Sequence, residues 1–308
     1  MERVHVIVNP ISARGQTEKR WQLIKEAIKS HFREFKYIFT EKPKQATEIV
    51  RRLLSDGFDL IIGVGGDGTL NEIANGFFKS HAPEVINQDA ALSIIPSGTG
   101  SDFVRAMKIP RDFRESVAQI NRAKKRRIDI GRIMFGAGAG PRRCHYFINV
   151  ADFGLGAEVI KRLADRNPLK RGPLTYYKGL LSSLLHFRSK KVSLEVDGQR
   201  YADGRYVIGA VANGPIFGGG MIIAPQARPD DGYFDLVLVE DMGLLEIVGN
   251  TPRLYSGTIA RNPKVRIVKA RNIKVDSQDE VSIEYDGELG ECLPAEFQLV
   301  ERAINFKS

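Results

Sequence analysis

Residues 63–72 read GVGGDGTLNE, and the first six of them hold four glycines and one carboxylate, Asp67. Glycine admits positive φ and lets another group approach the main chain closely. The run follows Phe58, Leu60, Ile61 and Ile62, which places the glycines at the end of a buried strand. Phosphate is a usual guest of such a bare backbone, yet a lone carboxylate repels phosphate. A bound metal removes that conflict, so the rest of the chain has to show whether a metal nucleotide fits.

The elements around this stretch alternate. VHVIVNP reads as a strand, and TEKRWQLIKEAIKSHF as a helix with Trp21, Ile24, Ile28 and His31 or Phe32 on one face. FKYIFT, LIIGVGG and ALSIIPSG read as further strands, separated by the helix ATEIVRRLLSDG and by one starting near Thr69; another helix starts at Ser101. Such alternation predicts a parallel sheet with helices on both faces, and ligands of such sheets lie beyond the carboxyl ends of the strands. Four segments fall at those ends: NPIS at 9–12, Thr40, the glycine-rich turn, and PSGTGSD at 96–102.

After KKRRIDIG the texture changes to short alternating segments set apart by turn signals: HYFINVADFG, KVSLEVDG, GRYVIGAVANG, YFDLVLVED, VRIVKARNIKVDS, VSIEYDG and EFQLVERAINF. This half reads as antiparallel and β-rich, interrupted by one helix, LTYYKGLLSSLLHF, at 174–187. The expected fold is an α/β N-terminal domain with a parallel sheet, residues 1–127, plus a mostly antiparallel β-sandwich domain, residues 128–308. The extreme C-terminal tail is expected to return to the first domain.

Residues 63–68 match G-x-G-x-x-G literally, but a dinucleotide fingerprint belongs in the first βα turn, which here is NPISARG. A Walker loop is absent, because the chain has no Gly-Lys dipeptide. GGDGTLNE instead resembles the nucleotide loop of the diacylglycerol, sphingosine and ceramide lipid kinases, a superfamily shared with NAD kinases. NPISARG resembles that family's first-strand NPxSGxG, and IPSGTGSDFVRAM its PxGTxNDFAR segment. The order of the motifs matches from Val4 to about Glu288, and the soluble bacterial diacylglycerol kinases look most similar. The resemblance implies transfer of the γ-phosphate of ATP to a lipid hydroxyl, with ATP and Mg²⁺ as cofactors.

On that resemblance, ATP contacts are expected from Asn9, Pro10, Ile11, Ser12, Ala13, Thr40, Gly65, Gly66, Asp67, Gly68, Thr69, Leu70, Asn71, Glu72, Gly98 and Thr99. Backbone N–H groups of Gly65, Gly66, Gly68 and Thr69 would cradle phosphates, helped by the N-terminal end of the next helix. Asp67 and Asp102 would face the metal, directly or through water. A tight turn capped by Asp or Thr remains the other reading of Asp67, and a helix N-cap the other reading of Asp102. The chain departs from the family at two positions: Ser101 stands where Asn is usual, and Ala13 where Gly is usual. If position 13 needs positive φ, alanine strains the first loop.

Asp-Gly occurs six times, and most such pairs are turns. YDGE at 285–288 resembles the family's late DGE motif, whose Glu, here Glu288, is the expected general base; a plain hairpin is the alternative. ARPDDGYFDL resembles a second Mg²⁺ site, made by the Asp231 carboxylate with the carbonyls of Arg228 and Tyr233; a plain turn is equally open. The helix at 174–187, with LKR before it and RSKK after it, suits either an anionic lipid surface or packing on a sheet.

The formal charge of +9 asks for an acidic partner, and the family resemblance makes that an anionic membrane surface met peripherally by a cytoplasmic enzyme. No RNP-like or helix-turn-helix signature supports nucleic acid. A homodimer is left open. Cys144 and Cys292 have no motif spacing, and the five histidines show neither metal spacing nor a triad partner. No apolar stretch approaches the roughly 18 residues of a membrane span. Diacylglycerol is the first acceptor the resemblance suggests. Another lipid, NAD, or an inactive nucleotide- or lipid-binding protein are the alternatives.

Overall fold

Strand β1, Val4–Val8, is buried at all five positions, as a parallel strand covered on both faces must be. The structure, a computed structural model, describes residues 2–80, 82–98, 101–136, 143–164 and 187–308. The chain forms two units: residues up to Ile130 together with Val300–Ser308, and Gly131–Leu299. The division falls inside strand β5, Arg126–Phe135.

In the first unit β1 lies between β2, Phe35–Phe39, and β3, Leu60–Gly65, and β4, Ala91–Pro96, lies beyond β3; all run parallel. The last residues of the chain extend the sheet past β4, pairing Asn305 with Ala91 and Phe306 with Leu92. Helix α1, Ser12–Lys29, packs with α5, Phe113–Arg122, and helix α2, Gln45–Ser55, with α3, Asp67–Gly76. Trp21, Ile24, Ile28 and Phe32 join Val4, Val6, Val8, Leu60, Ile62 and Val64 in one core, so Phe32 rather than His31 completes the apolar face of α1. The pair α2 and α3 crosses closely at Gly76, where a Cβ would lie 2.5 Å from Val50 Cβ. A short helix, α4, Asp102–Ala106, follows β4.

The second unit is mostly antiparallel. After β6, Arg143–Phe147, and β7, Val150–Gly154, comes helix α6, Leu155–Ala164. Then follow β8, Lys190–Val196; β9, Gln199–Ala212; the short pair β10, Ile216–Phe217, and β11, Met221–Ile222; and β12, Phe234–Glu240. Helix α7, Leu244–Tyr255, leads to β13, Val265–Ala270; β14, Asn272–Asp276; β15, Ser282–Tyr285; β16, Glu288–Cys292; and β17, Ala295–Phe306. The long β9 pairs first with β8 and then with both β7 and β12. One core, with Phe147, Phe153, Phe234 and Phe297, fills the sandwich; a second gathers Val150, Leu155, Val159 and Val237. The fold is thus an α/β domain with parallel strands followed by a mostly antiparallel β-sandwich domain.

Two segments that read as continuous strands are broken, and both breaks carry the same device. HYFINVADFG splits at Ile148–Asn149, where the Asp286 carboxylate accepts the N–H groups of Ile148, Asn149 and Val150. VRIVKARNIKVDS splits at Arg271, where Asp197 accepts the N–H groups of Arg271 and Asn272. Each aspartate opens an Asp-Gly turn with both residues at positive φ: 49° and 82° at 197–198, 49° and 87° at 286–287. That is the backbone of a two-residue hairpin matched to strand twist. The helix expected at 174–187 lies outside the described residues except for Phe187.

Candidate functional site

The loops at the carboxyl ends of β1–β4 begin by extending the sheet's own ladder. Asn9 N–H donates to Val64 O at 3.0 Å, Thr40 N–H to Val8 O at 2.9 Å and Ser97 N–H to Gly65 O at 2.8 Å. Side chains then tie the loops together. Asn9 Nδ2 donates to Thr69 Oγ1 at 2.9 Å, and Ser12 Oγ donates to Asn9 O at 2.8 Å. Hydroxyls of Ser12, Thr17 and Ser97 form a chain from the first loop to the loop after β4. Thr17 lies outside the motifs and Ser97 at a variable position of one, so only the fold reveals their link.

Glycine is required where these loops meet. A Cβ on Gly98 would lie 2.7 Å from Gly66 Cα, so two backbones touch there with no side chain between them. A Cβ on Gly65 would overlap the Thr69 side chain. Gly66 is extended and, as the residue before α3, supplies no side-chain cap to the N–H groups that open that helix. In the first loop Ala13, Arg14 and Gly15 take φ of 50°, 59° and 80°. Position 13 does need positive φ, and alanine occupies it.

Asp67 bridges two loops. Its Oδ2 accepts the N–H of Asp102 at 3.0 Å and its Oδ1 that of Phe103 at 3.4 Å, so Asp67 caps α4 from a different part of the chain. Burial raises its pKa above the ordinary aspartate value, against the opposing pull of those N–H groups and the Arg105 charge. Asp102 is buried and pairs with Arg105 at 3.2 Å. Ser101, just before it, has φ of 57°. Both positions at which the chain departs from the family pattern are therefore left-handed.

The residues expected to meet nucleotide or metal in the first unit divide. Asn9, Ser12, Gly65, Gly66, Asp67, Thr69, Gly98 and Asp102 come together at the loop cluster, with Gly68 in the first turn of α3. Pro10, Ala13 and Thr40 lie half-buried in the same strand-end loops, and Ile11 is 74% exposed. Leu70 and Asn71 are turned inward. Glu72 accepts the Ala46 N–H at 3.2 Å, at the start of α2. Thr99 lies outside the described residues. Among the described residues no group of three or more His, Cys, Asp or Glu side chains is gathered as a metal cluster. Two carboxylates beside the N–H groups at the start of α3 nevertheless suit Mg²⁺, which takes one or two carboxylates and completes its shell from phosphate and water.

In the second unit Glu288 is exposed, the first residue of β16, and pairs with Tyr285 across the Asp286-Gly287 turn. DGE is thus a hairpin, and the hairpin presents Glu288. Beneath it lie two acids that the sequence did not single out. Asp152 on β7 and Glu284 on β15 are directly opposite one another and buried. Burial pushes Asp152 up to about 7 and Glu284 well above the usual glutamate value, where the Asp152 charge adds to the effect. In VSIEY a charged residue between apolar ones reads as solvent-facing, but all four residues of β15 are buried.

At the second expected metal position Asp231 Oδ1 accepts the Tyr233 N–H at 3.1 Å, and Oδ2 accepts the Lys269 ammonium at 2.8 Å. The same ammonium reaches Asp235 at 2.8 Å, while Arg228 pairs with Asp230. Burial opposes the lysine's charge, but its bonds to Asp231 and Asp235 outweigh that and raise its pKa. The cation on this corner is an ammonium, and a divalent ion on Asp231 Oδ2 would have to displace it.

A family model for the diacylglycerol kinase catalytic domain matches residues 3–133, and one for the YegS C-terminal NAD kinase beta sandwich-like domain matches residues 149–307. A diacylglycerol kinase of Staphylococcus aureus is 31% identical over 306 residues, 99% of this chain and 91% of that protein. The Bacillus subtilis diacylglycerol kinase is 30% identical over 306 residues, 99% of this chain and 96% of that protein. The crystal structure of a diacylglycerol kinase from Bacillus anthracis superposes with a TM-score of 0.73 at 23% identity, covering 99% of this chain and 96% of that one. The fold is therefore shared across both units.

Proposed function

The chain belongs to the diacylglycerol kinase family and is a lipid kinase; from that premise we propose that it transfers the γ-phosphate of ATP, with Mg²⁺, to the free hydroxyl of diacylglycerol. The observation that carries the reading is the cradle at Gly66 and Gly98, two backbones in contact at the start of a helix whose N-cap residue is glycine. Phosphoryl transfer depends mainly on positioning and on neutralising charge. N–H groups at the start of α3 hold phosphate oxygens, and Asp67 fixes the loop carrying Asp102 against them. Mg²⁺, when bound beside Asp67 and Asp102, supplies further neutralisation of the phosphate charge.

Glu288, exposed at the head of its hairpin, takes the proton of the lipid hydroxyl as that oxygen bonds to the γ-phosphorus. The bond from phosphorus to the β-phosphate oxygen breaks, ADP leaves with the electron pair, and the product is a lipid phosphate. No helix among the described residues is long and apolar enough to cross a membrane. The charge of +9 supports peripheral contact with an anionic bilayer, where the substrate resides.

The left-handed Ala13 and Ser101 favour one second reading, a protein that binds nucleotide without turnover because its loops are strained. Labelled γ-phosphate transfer to diacylglycerol, sphingosine, ceramide, phosphatidylglycerol and undecaprenol in mixed micelles, with NAD as soluble control, separates the two. Label in a lipid names the acceptor. Label on NAD alone moves the activity to a soluble alcohol, and ATP binding with no label anywhere selects the second reading.

A further inference from the structure

Neither Asp152 nor Glu284 has a part in the chemistry proposed above, yet the fold makes room for both. Asp152 is 0% exposed and Glu284 6%. Gly156 is glycine where a Cβ would overlap the Asp152 carboxylate, so the backbone of α6 sits directly on the acid. Asp152 Oδ1 accepts the Ala157 N–H at 3.0 Å, and Glu284 Oε2 accepts the Gly287 N–H at 3.0 Å. Asp152 Oδ2 is buried, and among the described residues no donor faces it when both acids are charged. Two charged carboxylates side by side in such a place repel strongly, and one proton held between them supplies the missing donor.

Resting on the lipid-kinase reading with Glu288 as base, we infer that Asp152 and Glu284 share one proton and act as a positioning pair for Glu288. Glu284 holds the Gly287 N–H from within the unit, while Asp286 holds the N–H groups of Ile148, Asn149 and Val150. The turn is pinned on both sides of the peptide that leads into Glu288. Loss of the shared proton sets two charges against each other, pushes Glu284 off Gly287 and frees the turn.

Among the described residues few other charges face the pair. The segment of β9 against β7, residues 208–212, has no titratable side chain. Helix α6 brings Glu158, Lys161 and Arg162, of which Lys161 pairs with Glu280. The turn adds Asp286, and β15 and β16 add Tyr285, Glu288 and Glu291. Asp286 reinforces the rise at Glu284, after burial and Asp152.

The test compares full-length wild type with Glu284→Ala and Glu284→Gln, reading kcat, the KM for ATP and the unfolding temperature from pH 6 to pH 9. Glutamine can donate to Asp152 while its carbonyl accepts from Gly287. Glu284→Ala is expected to lose kcat by about tenfold or more with the KM for ATP unchanged, as a misplaced group does. Glu284→Gln is expected to restore kcat and to lack the wild type's fall in kcat at alkaline pH. Unchanged kcat in Glu284→Ala overturns the inference alone. If that variant does not fold, an alkaline fall in Glu284→Gln equal to that of wild type overturns it. Absence of any transfer by wild type overturns the lipid-kinase reading, and the inference with it.

Discussion

Asp67 Oδ2 accepts the backbone N–H of Asp102, 35 residues further along the chain, at 3.0 Å. A carboxylate in a glycine-rich turn therefore has a structural partner before any ligand arrives. Two lone-pair directions go to Asp102 and Phe103, and a carboxylate offers about four. The same group can hold the loop after β4 and still face a metal nucleotide.

Asp67→Ala should remove both effects. Losing an acceptor for two N–H groups at the start of α4 should cost about 2 kcal/mol, which a domain with this core survives folded. Transfer should fall at least about a thousandfold, because the loop carrying Asp102 is released and a charge beside the phosphates is lost. Labelled transfer with a parallel thermal melt checks this; an active variant sinks the mechanism.

Gly98→Ala probes the cradle without touching a charge. Its Cβ would lie 2.7 Å from Gly66 Cα, and the obstacle is backbone, not a side chain that can rotate away. The two loops must separate, at a cost of about 1–3 kcal/mol. ATP binding, followed by titration calorimetry, should weaken by about tenfold or more. Unchanged affinity would place the nucleotide elsewhere.

Ala13→Gly should go the other way. An alanine at φ of 50° is strained, and glycine relieves this while giving back some unfolded-state entropy. The net expectation is a gain of about 0.5–1 kcal/mol for the first unit, seen as a small rise in its unfolding temperature. A fall would mean that the first loop does not hold this backbone in solution.

That position shows how far the sequence reaches. Ala13 and Ser101 stood out against a family pattern, and the pattern's Gly is what a left-handed residue calls for. The parallel sheet, the apolar face of α1 and the strand-end loops were legible because period and turn signals are local. The partner of Asp67 was not, since nothing in GGDGTL says which distant N–H groups its carboxylate meets. Glu284 was hidden for a related reason: alternation predicts a solvent face only when one side of a strand is wet, and β15 is covered on both.

Lys269→Ala tests the corner at Asp231. It leaves Asp235, nearly fully buried, without its ammonium, and allowing for solvent around the half-exposed lysine the cost should be about 1–2 kcal/mol. The variant should also become sensitive to divalent ions, its unfolding temperature rising with Mg²⁺ and falling with a chelator. Wild type should respond to neither at this unit's transition. A wild-type melt lowered by the chelator would show that a metal displaces Lys269.

The buried acids make a prediction about stability that needs no substrate. Asp152 rises from 3.8 in the unfolded chain to about 7 in the folded one, and Glu284 also rises. A folded state with raised pKa values binds protons that the unfolded chain has released, so unfolding becomes easier as pH climbs. This contribution is fully present below about pH 4 and is lost through about pH 7, with Glu284 extending the loss upward. Asp67, also raised, pulls in the same direction but is common to wild type and to variants at 284. Glu284→Gln replaces the shared proton with an amide hydrogen that does not titrate. Its unfolding temperature should therefore fall less than that of wild type between pH 5 and pH 8, the two curves diverging as pH rises. Parallel curves across that window would mean that no proton is held between Asp152 and Glu284.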